Sequence, residues 1–421
     1  MENVIDVLEK RGFIEALTSE EFKKACQKPI KIYCGFDPTS DSLHLGNLVA
    51  IIGLAWFQKY GHTPVALVGG ATGLIGDPSG KSHERPLLDQ KAIQNNLAGI
   101  QKNLEAVLNS SENPPVIVNN YDWFKEMTFI EFLRDIGKNF RLGSMLAKES
   151  VKKRLESEEG MSFTEFSYQL FQAYDFLYLN EKMGVVAQMG GSDQWGNITA
   201  GSDLVRRLSG NPVYGITFPL LTTSDGKKFG KSEKGAIWLS AEKCSPFEFY
   251  QYLFRTQDAD VIKLLRLLTF LEIEEIDAIE KEMQSSGYIP NSAQKRLAEE
   301  VTLLVHGKEA LATAQKVTEG IKPGSETTLD SEILEGLSSE MPNCSLTLDQ
   351  VEGSKIADVL LLAGLQDSKG QARRLIKNGG VYLNNKKVSD ENLTLSGQDL
   401  IDGKWLLLAA GKKNKMLVRV T

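Results

Sequence analysis

Short apolar runs alternate with longer amphipathic stretches through the first 220 residues. The runs Lys31–Phe36, Pro64–Val68, Val116–Asn119, Val185–Met189 and Val213–Phe218 have the length and residue types of buried strands. Between them apolar positions recur every three or four residues, as in Asn47–Tyr60, which stops at Gly61, and in Phe163–Lys182. Alternation of this kind predicts an α/β domain with a doubly wound, mainly parallel sheet and ligands at the carboxyl ends of its strands.

The pattern then changes. Pro246–Ile321 reads as wholly helical, and Lys322–Asp349 loses periodicity and gains Ser, Pro, Gly and Thr, as a linker does. Two helices follow, near Lys355–Ala363 and over Lys369–Lys377, the second stopped by Asn378-Gly379-Gly380. Strands are expected at Val381–Leu383, Trp405–Ala409 and Met416–Val420. The expected division is a catalytic sheet domain over 1–220, a loop and connection over 221–245, a helical domain over 246–321, a linker over 322–352 and a small α+β domain over 353–421. There is no internal repeat.

Composition changes this picture little: 421 residues, 42% hydrophobic and 24% charged, is ordinary globular usage. No apolar run reaches bilayer length, and the acidic N-terminal stretch lacks a signal-peptide core. Cys26, Cys34, Cys244 and Cys344 are scattered without a CxxC pair, which speaks against a disulfide framework or a zinc site and for a reducing, cytoplasmic setting. Charge is more telling. From Gly353 onward there are 12 Lys and Arg against 6 Asp and Glu, so a tail of +6 follows a body of −13. A basic module on an acidic body suggests one dedicated surface for a polyanion.

The first strand runs into Tyr33-Cys34-Gly35-Phe36-Asp37-Pro38-Thr39, and then His44-Leu45-Gly46-Asn47 opens a helix. A helix N-terminus offers free N–H groups to phosphate, Gly46 leaves room for a flat ring, and His44 and Thr39 are candidate donors to the outer phosphates. Far downstream, Lys227-Lys228-Phe229-Gly230-Lys231-Ser232 places three lysines within five residues. Mobile ammonium groups suit the charge that builds on a leaving pyrophosphate.

Together these two stretches resemble the HIGH and KMSKS signatures of class I aminoacyl-tRNA synthetases. The segments Tyr33–Thr39, Val68–Gly80, Tyr168–Asp175 and Gly190–Asn197 look like those of bacterial tyrosyl-tRNA synthetases, and the likeness extends over nearly the whole chain. It implies a Rossmann-like catalytic domain that joins tyrosine to ATP, releases pyrophosphate and passes the tyrosyl group to the 3′-terminal adenosine of its tRNA. In such a family no protein nucleophile is used; the substrate carboxylate attacks the α-phosphate, and the site works by positioning and charge.

By position, the resemblance implies that Tyr33 and Asp175 meet the phenolic hydroxyl. Asp77, Tyr168 and Gln172 would hold the ammonium group with Gln188 nearby, and Gln194 the carbonyl. Cys34, Gly35 and Asp193 would contact ribose, with Asp37, His44, Gly46 and Ser232 also on the ATP side. Lys81 and Arg85 would join Lys228 and Lys231 around pyrophosphate. Tyr168, Gln172 and Asp175 fall at i, i+4 and i+7, one helical face, though periodicity alone equally allows that face to be solvated. Asn47 departs from the His in its motif's name; an amide can donate a hydrogen bond but carries no charge.

The tail resembles the small RNA-binding domain named after the fourth small-subunit ribosomal protein, with Arg373, Arg374 and Lys377 on a helix and Lys386 and Lys387 on a hairpin. Expected partners are therefore tyrosine tRNA, L-tyrosine, ATP with its accompanying Mg2+, and a second copy of the chain through the apolar segment around Phe124–Phe163. No resident metal or organic cofactor and no membrane are expected. A dehydrogenase reading is also on the page: Gly70–Gly76 fits a dinucleotide turn and Tyr178–Lys182 fits YxxxK. Its turn follows the second strand rather than the first, and it leaves the lysine loop and basic tail without a use. A non-catalytic RNA-binding scaffold would leave the two signatures idle, and a tryptophanyl relative would lack the Tyr33/Asp175 pair.

Overall fold

The computed structural model describes residues 3–79, 89–109, 112–156, 160–232, 235–328, 330–338, 341–411 and 414–421. They form two compact units, one of Met1–Ser245 with Tyr252–His306 and one of Pro246–Gln251 with Gly307–Thr421.

The first unit is built on a six-stranded sheet. Its strands are β1 (Ala16–Leu17), β2 (Lys31–Phe36), β3 (Thr63–Val68), β4 (Val116–Asn119), β5 (Val185–Gly191) and β6 (Tyr214–Phe218), in the order β1-β6-β5-β2-β3-β4. All neighbours are parallel except β1 with β6. The chain winds outward from β2 through β3 to β4, then resumes on the other side with β5 and β6. The switch in winding falls between β2 and β5, where such sheets leave a crevice at their carboxyl ends.

Helices cover both faces. Gly53 of the helix Leu45–Lys59 lies so close to Met189 that no Cβ would fit, whereas Gln188 faces Gly201 of the helix Trp195–Leu208. The long helix Phe163–Met183 starts where the Ser162 hydroxyl accepts from Glu165 N and ends on Gly184 at φ 70°. It packs Ala173, Phe176, Leu177 and Leu179 into the core with Tyr33, Val65 and Leu67. Arg11 caps the last carbonyls of the helix Asp258–Leu268, donating to Arg266 O and Leu271 O at 2.7 Å and Thr269 O at 2.6 Å. A short ribbon, β7 (Lys231–Ser232) with β8 (Gly235–Ala236), closes the lysine loop.

The second unit holds a five-stranded sheet of β9 (Asn343–Leu346), β10 (Val381–Leu383), β11 (Lys386–Val388), β12 (Trp405–Ala410) and β13 (Asn414–Val420), in the order β11-β10-β12-β13-β9. The β10–β11 turn is Asn384-Asn385, both at positive φ, as a tight hairpin requires. The stretch expected as a linker differs: it contains the helix Ser331–Leu337 and β9, which pairs in parallel with β13. Leu334 and Leu337 pack against Trp405, Leu407 and Leu417. The helical run Ser292–Gly320 also breaks at Gly307, where φ is 82° and ψ 178°, and the boundary between the units falls there. Among the described residues no helix is long and apolar enough to cross a membrane.

Candidate active site

The crevice predicted by the winding is where the sequence-derived residues gather. Register places Tyr33 on β2 directly beside Gln188 on β5. Tyr33 is 1% exposed, and its hydroxyl, like the Gln188 side-chain oxygen, is a buried polar atom with no hydrogen-bond partner among the described residues. Such atoms cost free energy unless a ligand pairs them. Asp175 is 2% exposed and accepts from Trp123 Nε1 at 2.9 Å and from Asn120 Nδ2 at 3.1 Å. Burial pushes its carboxyl well above the usual range, and those two donors pull against the rise. The polar stripe of Phe163–Met183 thus faces inward. Each Asp175 oxygen keeps acceptor capacity for a further donor.

Two networks flank this pair. In one, Tyr168 Oη donates to Asp37 Oδ2 at 2.8 Å and Thr72 Oγ1 donates to Asp37 Oδ1 at 2.8 Å. Burial and the neighbouring Asp37 hold the Tyr168 hydroxyl well above its ordinary value, so it remains a donor. In the other, Gln194 Nε2 donates to Asp77 Oδ2 at 2.8 Å, and Asn197 Nδ2 donates to Gln172 Oε1 at 3.0 Å and Gln194 Oε1 at 3.2 Å. Amide dipoles and carboxylates held this way can take an ammonium group and a polar headgroup without rearranging. Burial and Asp77 raise Asp193, with Lys228 opposing. The Cys34 thiol is pushed up to about 12 by burial, so it stays neutral.

The two remote signatures meet through backbone. Leu45 N donates to Ile237 O at 2.7 Å and Leu239 N to Leu43 O at 2.8 Å, a short ladder that sets His44 against Trp238. Ile237 N donates to Gly230 O at 2.9 Å, which brings the lysine loop to the start of the helix Leu45–Lys59. Gly230, at φ +84°, sits where a Cβ would meet Gly46 N at 3.0 Å. Asn47 Oδ1 accepts from His44 N at 3.1 Å, so the departure from the motif serves as a local cap.

Not every expected residue is placed. Lys81 and Arg85 lie outside the described residues. Gly35 near the end of β2 and Thr39 in the turn after it are exposed, and Ser232 is exposed on β7. Arg373, Arg374, Lys377, Lys386 and Lys387 all belong to the second unit, exposed on one helix and hairpin, with Lys377 paired to Glu391 at 3.3 Å. Sequence reasoning missed Trp123, Asn120, Thr72 and Asn197. The signal available was position: Asn120 and Trp123 follow the carboxyl end of β4, where such sheets present functional groups. Tyr178 and Lys182 of the YxxxK pattern instead line a separate cleft of about 460 Å³ beside β4. Among the described residues no group of three or more His, Cys, Asp or Glu could hold a metal ion.

Comparison with known proteins identifies the family. The family model described as tRNA synthetases class I (W and Y) matches residues 24–321, and the tyrosine–tRNA ligase SYY-like C-terminal domain matches 332–418. A tyrosine–tRNA ligase of Protochlamydia amoebophila is 63% identical over 422 residues, covering 100% of this chain and 99% of the relative. A chloroplastic/mitochondrial tyrosine–tRNA ligase of Arabidopsis thaliana is 54% identical, covering 100% of this chain and 84% of the relative. Among solved structures, a C-terminally truncated mitochondrial tyrosyl-tRNA synthetase of Aspergillus nidulans aligns with a TM-score of 0.68 and 33% identity, covering 76% of this chain and 94% of that one.

Proposed function

The chain belongs to the class I tRNA synthetases, in the tyrosine–tRNA ligase branch, and from that premise we propose how its residues divide the work. It activates tyrosine with ATP and charges tRNA with the product. The phenolic hydroxyl of tyrosine sits between Tyr33 and Asp175, donating to the carboxylate and accepting from the Tyr33 hydroxyl. The observation that carries this assignment is the partnerless Tyr33 hydroxyl in the same core as a doubly held Asp175. Phenylalanine would leave both groups buried and unpaired.

Asp77, Tyr168 and Gln172 hold the ammonium group with Gln188 at hand, and Gln194 the carbonyl, which turns the substrate carboxylate toward the α-phosphate. Cys34, Gly35 and Asp193 take the ribose, and Asp37, which bonds Tyr168, helps fix the wall between the two substrates. Thr39, His44 and Asn47 at the helix start, with Lys81, Arg85, Lys228, Lys231 and Ser232, surround the phosphates. Each supplies hydrogen bonds or charge as pyrophosphate departs. Magnesium accompanies ATP. The bond from the carboxylate to the α-phosphorus forms as the bond to pyrophosphate breaks, and no protein atom is covalently changed.

Arg373, Arg374, Lys377, Lys386 and Lys387 contact tRNA phosphates, and the helical residues before them share in that contact. Phe163 (70% exposed), Ile130 (72%), Phe129 and Leu142 are exposed apolar side chains of the segment expected to meet a second copy, which supports a homodimer as the working form. The scattered cysteines suit a cytoplasmic setting. Replacing Asp175 by Ala tests the core of this reading: tyrosine-dependent pyrophosphate exchange should be abolished, and retained exchange with undiminished rejection of phenylalanine refutes it.

A further inference from the structure

Lys228 and Lys231 bracket the dipeptide Phe229-Gly230, and exposure changes sharply between the lysines and the pair they enclose. Both lysines are exposed, whereas Phe229 is 6% exposed and Gly230 is buried. The Phe229 ring lies 5.4 Å from that of Tyr252, tilted by 58°. Gly230 N donates to the Tyr252 hydroxyl at 2.8 Å. The Gly230 carbonyl is held by Ile237 N at 2.9 Å, and a Cβ at this position would meet the Gly46 amide nitrogen at 3.0 Å. The outer turn of the loop is tethered elsewhere, through Ser224 N and Oγ to Asp260 Oδ2 at 3.1 and 3.2 Å. Tyr252 is therefore a side chain that fixes the stretch between the two lysines, its hydroxyl facing the backbone of Gly230 and Lys231.

We propose that Tyr252 is a positioning residue for adenylate formation: its ring seats Phe229, its hydroxyl fixes the Gly230 amide, and together they set where Lys228 and Lys231 carry their ammonium groups. This rests on the assignment of those lysines to the phosphates made above. A lysine stem has several rotatable bonds, so its head stabilises developing charge only as well as its root is placed. The ground-state tyrosine cleft does not involve Tyr252. Its loss therefore falls on the rate of the chemical step and spares the binding of the amino acid.

The test is pyrophosphate exchange and equilibrium tyrosine binding on the full-length chain, comparing wild type, Y252F, F229L, K231A and the Y252F/K231A double variant. Removing one hydrogen bond should lower kcat by about 3- to 10-fold in Y252F while the tyrosine Kd stays within about 1.5-fold. F229L should lower kcat in the same direction. In the K231A background the Y252F penalty should be smaller than in the wild type, because part of it acts through Lys231. The proposal is overturned if Y252F matches wild type, if its penalty persists undiminished beside K231A, if F229L costs nothing, or if tyrosine affinity falls in parallel with rate. Absence of exchange by wild type, or K231A equal to wild type, would instead strike the lysine assignment itself.

Discussion

Trp123 Nε1 donates to Asp175 Oδ1 at 2.9 Å, across 52 positions of sequence, and this bond helps hold a buried carboxyl close enough to the partnerless Tyr33 hydroxyl to add to the rise that burial causes in its pKa. Removing the indole donor while keeping a ring, as in Trp123→Phe, leaves Asp175 with Asn120 as its remaining donor. The loss of one buried hydrogen bond sets the scale, so kcat/KM for tyrosine should fall by about 10-fold. The slow reaction with phenylalanine, which never uses the carboxylate, should not change. Parallel exchange assays with both amino acids check this; an equal loss for both would assign Trp123 to packing alone.

The basic surface of the second unit makes a separable prediction. Reversing charge at Arg373 and Arg374 together should leave tyrosine-dependent pyrophosphate exchange within about 2-fold, because both residues belong to the second unit. tRNA charging should weaken, and the dependence of tRNA binding on log salt should flatten by about one to two contacts. An unchanged salt slope would place the tRNA elsewhere.

Lys148 predicts a pH effect. Its Nζ donates to Gly196 O at 2.6 Å, and burial lowers its pKa to about 8 from an ordinary 10.5. Between those two pH values the unfolded chain keeps a proton that the folded chain has released, so this residue's contribution to stability rises with pH across that window. Below about pH 8 the buried ammonium opposes folding in full. Urea unfolding of wild type and Lys148→Met from pH 7.5 to 10.5 should therefore show their difference shifting toward wild type by about 1–2 kcal/mol. Buried tyrosines and thiols titrate alike in both proteins and cancel. Parallel curves would contradict the assignment.

The exposed apolar surface predicts the assembly. Phe163 is 70% exposed on the first turn of the helix Phe163–Met183. Phe163→Asp should convert the dimer to monomer in sedimentation velocity, with the far-ultraviolet spectrum retained, since burying a charge at an apolar interface is strongly unfavourable. A wild-type chain that sediments as a monomer at micromolar concentration would refute the homodimer.

Much of this is legible in the sequence. The five parallel strands and the helix Phe163–Met183 announce themselves through apolar length and caps, because burial and capping act locally. What periodicity left open, whether Tyr168, Gln172 and Asp175 face solvent or the core, was decided by tertiary packing. β9 is not legible because four residues, of which only Leu346 is buried, carry no pattern until β13 lies beside them. Trp123 reads as one more aromatic until the fold brings it to Asp175. Gly307 looks like any glycine in a helical stretch, and only its backbone angles mark the boundary between the units.

The most direct measurement is pyrophosphate exchange by the wild-type chain with tyrosine and phenylalanine side by side. Two buried groups left unpaired, at about 1–3 kcal/mol each, predict a preference for tyrosine on the order of 10²- to 10⁴-fold in kcat/KM. Exchange with phenylalanine within about tenfold of tyrosine, or no tyrosine-dependent exchange at all, would contradict a cleft between β2 and β5 built around Tyr33 and Asp175.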